Sequence, residues 1–209
     1  MPRQPLFVGD PALIVIDIQR GSALPGRESG IPHMDGAAER IARAEQLVAA
    51  ARAAAVPVVF FQEVHRRSGV DFGRELDGAE DVHCVEGEPA TELWPTLRPA
   101  EGDYHIVKRR YSGFIGTEFE LLLRGLRVST LVLIGGLTDV CVHYTFADAH
   151  QHDYRCRVVT DCVGGSSVEA HEAALRSMRY LQSDCLVNSD EVLAAFAQIA
   201  GRPNEAAVA

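Results

Sequence analysis

The sequence has almost no lysine. Of its 20 basic residues 19 are arginine, and Lys108 alone is not. Paired cysteines are also missing. Cys84, Cys141, Cys156, Cys162 and Cys185 are odd in number and contain no Cys-x-x-Cys. That argues against a disulfide framework and a zinc knuckle, and makes a reducing cytoplasm the expected location. No apolar run approaches the ~20 residues of a membrane helix, and residues 1–10 lack a stretch of signal-peptide character. There is no basic stripe and the net charge is −9, so neither nucleic acid nor an anionic membrane surface is an expected partner. Repeats and low-complexity linkers are absent.

What is present is a chain of 209 residues, 47% hydrophobic. It is long enough to bury a core and is read as one domain, 1–209, with a poorly anchored tail from Gly201. Apolar runs alternate with helical patterns. Strands are expected at Ala12–Ile18, Val58–Val64, around Ile106 and Val107, Leu131–Ile134, Arg157–Val163 and Cys185–Val187. Helices are expected at Asp35–Ala55, Glu118–Leu126, Asp139–His152, Val168–Leu181 and Glu191–Ile199. This rhythm predicts a three-layer α/β/α sandwich around a mainly parallel six-stranded sheet. Near-continuous apolar strands such as ALIVI fit a sheet covered on both faces. Sites in such sheets form beyond the carboxyl ends of the strands. The irregular stretch from His65 to about Thr91 is long enough to suggest a functional loop over that edge.

Three strand ends carry reactive side chains. Asp17 closes the first strand, Lys108 the third, and Cys141 follows the fourth across Gly135-Gly136. Thr138 is a good N-cap residue, which puts Cys141 near the third helical position. A helix N-terminus and a nearby ammonium both favour a thiolate, the nucleophilic form of cysteine. The alternative reading, a small buried hydrophobe, suits the other four cysteines better. Asp17 could be a cap, a metal ligand or a general base. Lys108 marks either a place that needs a point charge or a codon bias against lysine. His143, two residues from Cys141, points to a different helix face and is a poor base for it.

In order and spacing, several pieces resemble the isochorismatase-like cysteine hydrolases, a superfamily that includes nicotinamidases and other small-molecule amidases. They are Ile16-Asp17-Ile18-Gln19, Lys108-Arg109-Arg110-Tyr111-Ser112-Gly113-Phe114, Gly135-Gly136-Leu137-Thr138-Asp139-Val140-Cys141-Val142, Ala147-Asp148-Ala149 and Val158-Val159-Thr160-Asp161. The resemblance runs from about Ala12 to Val187. It implies a triad of Asp17, Lys108 and Cys141, a cis peptide at Gly136–Leu137, and an oxyanion hole from the N–H groups of Leu137 and Cys141. It further implies cleavage of a carbon–nitrogen bond (amide, urea-like or carbamoyl) in a small molecule through a thioester, and a homodimer or larger homo-oligomer.

Nicotinamidases hold a divalent metal through Asp-x-His-x5-His and a later His. The matching residues here are Glu63, His65, Asp71 and His83, so two ligand types change. All four could still bind a metal such as zinc. The reading favoured here is that they pair with one another or with Arg66, Arg67 and Arg74, and that no cofactor is required. By closeness to the strand ends or by family position, the pocket is expected to include Gln19, Glu63, His65, Asp71, His83, Trp94, Tyr111, Phe114 and Leu137. It has no obvious anion clamp; Arg74 is a candidate. Two alternatives are a vinyl-ether hydrolase of the isochorismatase type, whose members typically lack the cysteine, and a catalytically silent binding protein.

Overall fold

A computed structural model describes residues 5–24 and 28–201. Most of the tail expected to be poorly anchored therefore lies outside the described residues. The sheet has six strands, all parallel: β1 Asp10–Ile16, β2 Val58–Glu63, β3 Tyr104–Lys108, β4 Val128–Gly136, β5 Arg155–Gly164 and β6 Leu186–Val187. Their spatial order is β3-β2-β1-β4-β5-β6. Five α-helices flank them: α1 Ala37–Ala53, α2 Phe119–Gly125, α3 His143–Gln151, α4 Val168–Leu181 and α5 Ser189–Ala200.

Strand alternation explains the three layers. In β1, Ala12, Ile14 and Ile16 pack toward α2, α3 and α4, while Leu13 and Val15 pack toward α1 and α5. All five are at most 1% exposed, as a parallel sheet covered on both faces requires. Phe60 and Phe61 divide between the two cores in the same way, and burying each contributes about 1.5–3 kcal/mol. α1 turns Ile41, Ala44, Leu47, Val48 and Ala51 inward, a helical stripe against the sheet. No helix of the described residues is long and apolar enough to cross a membrane.

The expected elements are all found, with shifted ends. α5 begins at Ser189 rather than Glu191 because Asn188 and Glu191 form a reciprocal capping box. The larger difference lies at the expected helix 139–152. Thr138–Val142 is a π-helical turn, and α3 starts only at His143. The N–H of Val142 donates to the carbonyl of Leu137, five residues back, at 3.0 Å. Thr138 is not the cap; Leu137 holds that position, and the Thr138 hydroxyl lies 2.8 Å from His171 Nδ1 instead. Such π turns are concentrated at functional sites. The stretch after His65 contains only two short 3-10 turns, Arg74–Asp77 and Pro89–Thr91.

Strand order reverses between β1 and β4, the neighbours at the centre of the sheet. In open parallel sheets the crevice forms at that switch point. β1 and β4 close tightly there: a Cβ on Gly135 would sit 2.0 Å from the Ile16 carbonyl oxygen, and Gly135 has φ +112°. Only glycine meets both conditions.

Candidate active site

Asp17, Lys108 and Cys141 are brought together at the switch point. Strict alternation would send Asp17 to the α1 side with Leu13 and Val15. Its backbone is left-handed, φ 51°, a conformation aspartate tolerates better than most residues. That breaks the alternation, and the carboxylate reaches Lys108: Nζ lies 2.8 Å from Asp17 Oδ2. Lys108, fully buried, also sits 3.4 Å from Cys141 Sγ and donates to the Arg110 carbonyl at 3.1 Å. The Gly136–Leu137 peptide is cis.

Glu63, expected only as a pocket residue, stands inside this group. It faces Lys108 across the β2–β3 register, and its Oε2 accepts from Lys108 Nζ at 2.8 Å. The Cys141 thiol lies 3.5 Å from the same oxygen. One ammonium is thus shared by two carboxylates. That changes the state of Cys141. Burial pushes its thiol well above the ordinary range; Lys108 opposes this, while Asp17 and Glu63 add to it. Burial first, and then the two acids, work against the thiolate that the helix start and Lys108 were expected to favour. The carboxylates themselves are driven apart. Burial raises the Asp17 pKa against the pull of Lys108. For Glu63 burial is outweighed by Lys108 and by hydrogen bonds from His65 and His83, and its pKa is held well below the usual range.

The cleft above them is lined by Asp17, Gln19, Glu63, His83, Tyr111 and Leu137 from the expected set, with Cys141 on its floor. Gln19 is held in place, its Nε2 donating to the carbonyls of Glu63 and Thr91 and its Oε1 accepting from the Glu63 N–H. Tyr111 donates to Glu80 at 2.8 Å. His65, Asp71, Trp94 and Phe114 do not line it. His65 is fully buried behind Glu63 and stacked on Phe72. Asp71 pairs with Arg109 at 2.8 Å. Trp94 lines a neighbouring depression with Met34 and Ile41, and Phe114 packs between His152 and Phe119. Arg74 is 94% exposed at its side chain and pairs with Asp77, so it is no clamp. His143 packs against Tyr144.

Glu63, His65 and His83 bring potential metal donors within 4.8 Å of one another. The set does not fit a resident divalent ion. His65 Nε2 and His83 Nε2 both face Glu63 Oε1, at 3.1 and 3.5 Å, and the other oxygen of that carboxylate is bonded to an ammonium. A second cation there would face Lys108 across one carboxylate. Asp71, the fourth expected ligand, faces His65 Nδ1 at 3.8 Å and is tied to Arg109.

Sequence reasoning missed several cleft residues, Cys84, Arg40 and His33 among them. Cys84, read as a buried hydrophobe, lines the cleft and accepts from Gln19 Nε2 at 3.7 Å. Arg40 and His33 also line it; both precede or begin α1, and no local pattern points them toward a strand end.

Residues 11–188 match the family model described as the Isochorismatase domain. The chain is 31% identical over 188 residues to a maleamate amidohydrolase of Pseudomonas putida, covering 88% of this chain and 86% of that protein. It is 34% identical over 191 residues to the ureidoacrylate amidohydrolase RutB of Methylobacterium radiotolerans, covering 81% and 74%. Among solved structures, an isochorismatase family protein from Desulfovibrio vulgaris superposes with a TM-score of 0.76 at 31% identity, covering 92% of this chain and 98% of that one.

Proposed function

The chain belongs to the isochorismatase-domain family and is an amidohydrolase of non-peptide carbon–nitrogen bonds, and we propose that it cleaves them with Cys141 as nucleophile, through a thioester. The observation that carries this reading is the meeting of Lys108 Nζ with Asp17 Oδ2 at 2.8 Å and with Cys141 Sγ at 3.4 Å on the floor of the cleft.

The opposed pKa shifts of the two carboxylates support distinct roles. Asp17, the more basic, takes the Cys141 proton as the sulfur attacks the carbonyl carbon of the substrate. Lys108 and ionised Glu63 stay as they are. Proton transfer from Cys141 to Asp17 leaves the net charge of the four groups unchanged, so no additional charge is buried when the thiolate forms. The carbonyl oxygen becomes an oxyanion held by the N–H groups of Leu137 and Cys141. Collapse of the tetrahedral species breaks the C–N bond, and Asp17 returns the proton to the departing nitrogen. A water, deprotonated by Asp17, then attacks the thioester; the acid leaves and Cys141 regains its proton. Asp17 carries the proton in each of these steps.

Maleamate and ureidoacrylate, the substrates named for the two relatives, are the first compounds to assay for ammonia release. Cys141→Ala should lower kcat by at least about 10³-fold, as loss of a covalent nucleophile does, with thermal unfolding little changed. Substantial turnover by a folded Cys141→Ala protein would remove the thioester route. Mass spectrometry of quenched wild-type enzyme should find the acyl group on Cys141.

A further inference from the structure

The cleft has a cationic wall that the chemistry at Cys141 does not use. Arg40, in the first turn of α1, lines the same cleft as Cys141 and Leu137. α1 packs on the opposite face of the sheet from α3, so Arg40 and Cys141 overlook the carboxyl edge from its two sides. The guanidinium lies on Gly164, where a Cβ would fall 2.5 Å from Arg40 Nε and 2.8 Å from Nη2. Gly164 pairs with Gly136 across β4 and β5, one strand spacing of about 4.8 Å from the segment that leads into Leu137. The missing side chain at 164 is what admits the guanidinium to this wall.

Arg40 keeps donors to offer. Nη1 donates to the Asp35 carbonyl at 2.7 Å and Nη2 to the Met34 carbonyl at 3.1 Å. A guanidinium has five N–H groups, so three remain. Arg40 forms no ion pair within 4.0 Å among the described residues, though the Asp35 and Glu39 carboxylates act on its charge from farther off. It stands in the first turn of a helix, where the macrodipole favours an anion over a cation. Acids gather at the other end of the cleft, with His83 beside them. Asp17, Glu63 and Glu80 line it, and Lys108 is buried beneath two of these acids.

We propose that Arg40 is the anion-binding, specificity-determining residue of this cleft, and that the substrate is a short amide bearing a carboxylate at the end remote from the scissile bond. The proposal rests on the amidase reading above and adds the residue that reads the substrate's charge and the orientation this imposes. The carboxylate docks on the guanidinium from the α1 side, and the neutral amide is left over Cys141. Asp17 and Glu63 disfavour the reversed pose.

The test compares the mono-amide of a short dicarboxylic acid with the diamide of the same acid, by steady-state ammonia release. Wild type should prefer the mono-amide. In Arg40→Gln the mono-amide to diamide ratio of kcat/KM should fall about 30-fold, chiefly through KM, the size of a lost charged hydrogen-bonded pair. Arg40→Lys, which keeps a point charge but not the planar fork, should fall between the two. The free dicarboxylate should inhibit wild type competitively and Arg40→Gln far more weakly. A ratio unchanged in folded Arg40→Gln overturns the proposal. So does a wild-type enzyme that prefers the diamide, a result that needs no variant and leaves the amidase reading intact. A wild type inert toward both compounds and toward the relatives' substrates sinks the amidase reading and this proposal together.

Discussion

Glu63 and Lys108 face each other across β2 and β3 with 2.8 Å between Oε2 and Nζ, the same separation as between Lys108 and Asp17. The two carboxylates thereby offset part of the pull of Lys108 on Cys141. One consequence for reactivity follows from that sharing, and three more predictions follow from the surrounding structure.

Glu63→Gln removes one of the two carboxylates that raise the Cys141 pKa. The thiol of the variant should ionise at lower pH, because Lys108 then acts on sulfur with one competitor instead of two. Alkylation of Cys141 by iodoacetamide at neutral pH, followed by peptide mapping to separate it from Cys84, should be about tenfold faster than in wild type, the effect of roughly one pKa unit. Slower or unchanged alkylation would mean that Glu63 does not govern the thiol.

His83 makes a second, pH-dependent prediction. Its folded pKa is raised, burial being outweighed by Glu63 and by the Asp81 carbonyl. A group raised on folding contributes stability fully below its unfolded pKa, near 6.5 for histidine, and loses it as pH rises through the folded value. Urea unfolding of wild type and His83→Asn should therefore differ most below the unfolded value and converge as the pH rises through the raised folded value. A gap that widens over that range would show that His83 is neutral in the folded protein.

The Glu63, His65 and His83 cluster is engaged with itself and with Lys108. Dialysis against a chelator should leave ammonia release unchanged, and elemental analysis of active protein should find zinc well below one equivalent. Activity lost to the chelator and restored by zinc would reverse the reading of this cluster.

Gly135→Ala should prevent folding or cost more than about 4 kcal/mol, the range of severe backbone and packing defects. Its Cβ would meet the Ile16 backbone at 2.0 Å with φ already at +112°. Gly125→Ala, at the end of α2 with nothing within 4 Å of the new methyl, should be neutral or stabilise by up to about 1 kcal/mol. Soluble yield and urea midpoints of the pair would check both.

The strands were legible because ALIVI, VVFF and LVLI can be satisfied only by burial on both faces, and their spacing leaves room only for crossover helices. α4 was readable to the residue: Val168–Leu181 was expected and found, since Ser167 caps it and its apolar positions keep one period. The meeting of Asp17, Lys108 and Cys141 was also foreseeable, as all three follow strand ends. Thr138 misled because its composition suits a cap, while its hydroxyl has a partner 33 residues away in His171.

Sequence alone therefore settled the alternation of strands and helices and which reactive side chains lie at strand ends, because burial and periodicity are local properties of the chain. Tertiary structure decided the rest. The left-handed turn at Asp17 chose which face its carboxylate reaches. Register between β2 and β3 put Glu63, rather than Asp17 alone, on Lys108. A glycine at 164 let the first turn of α1 bring Arg40 to the cleft. Protonation of Cys141 depends on the sum of charges within a few ångströms in a buried space, and that sum exists only once three distant segments have packed together.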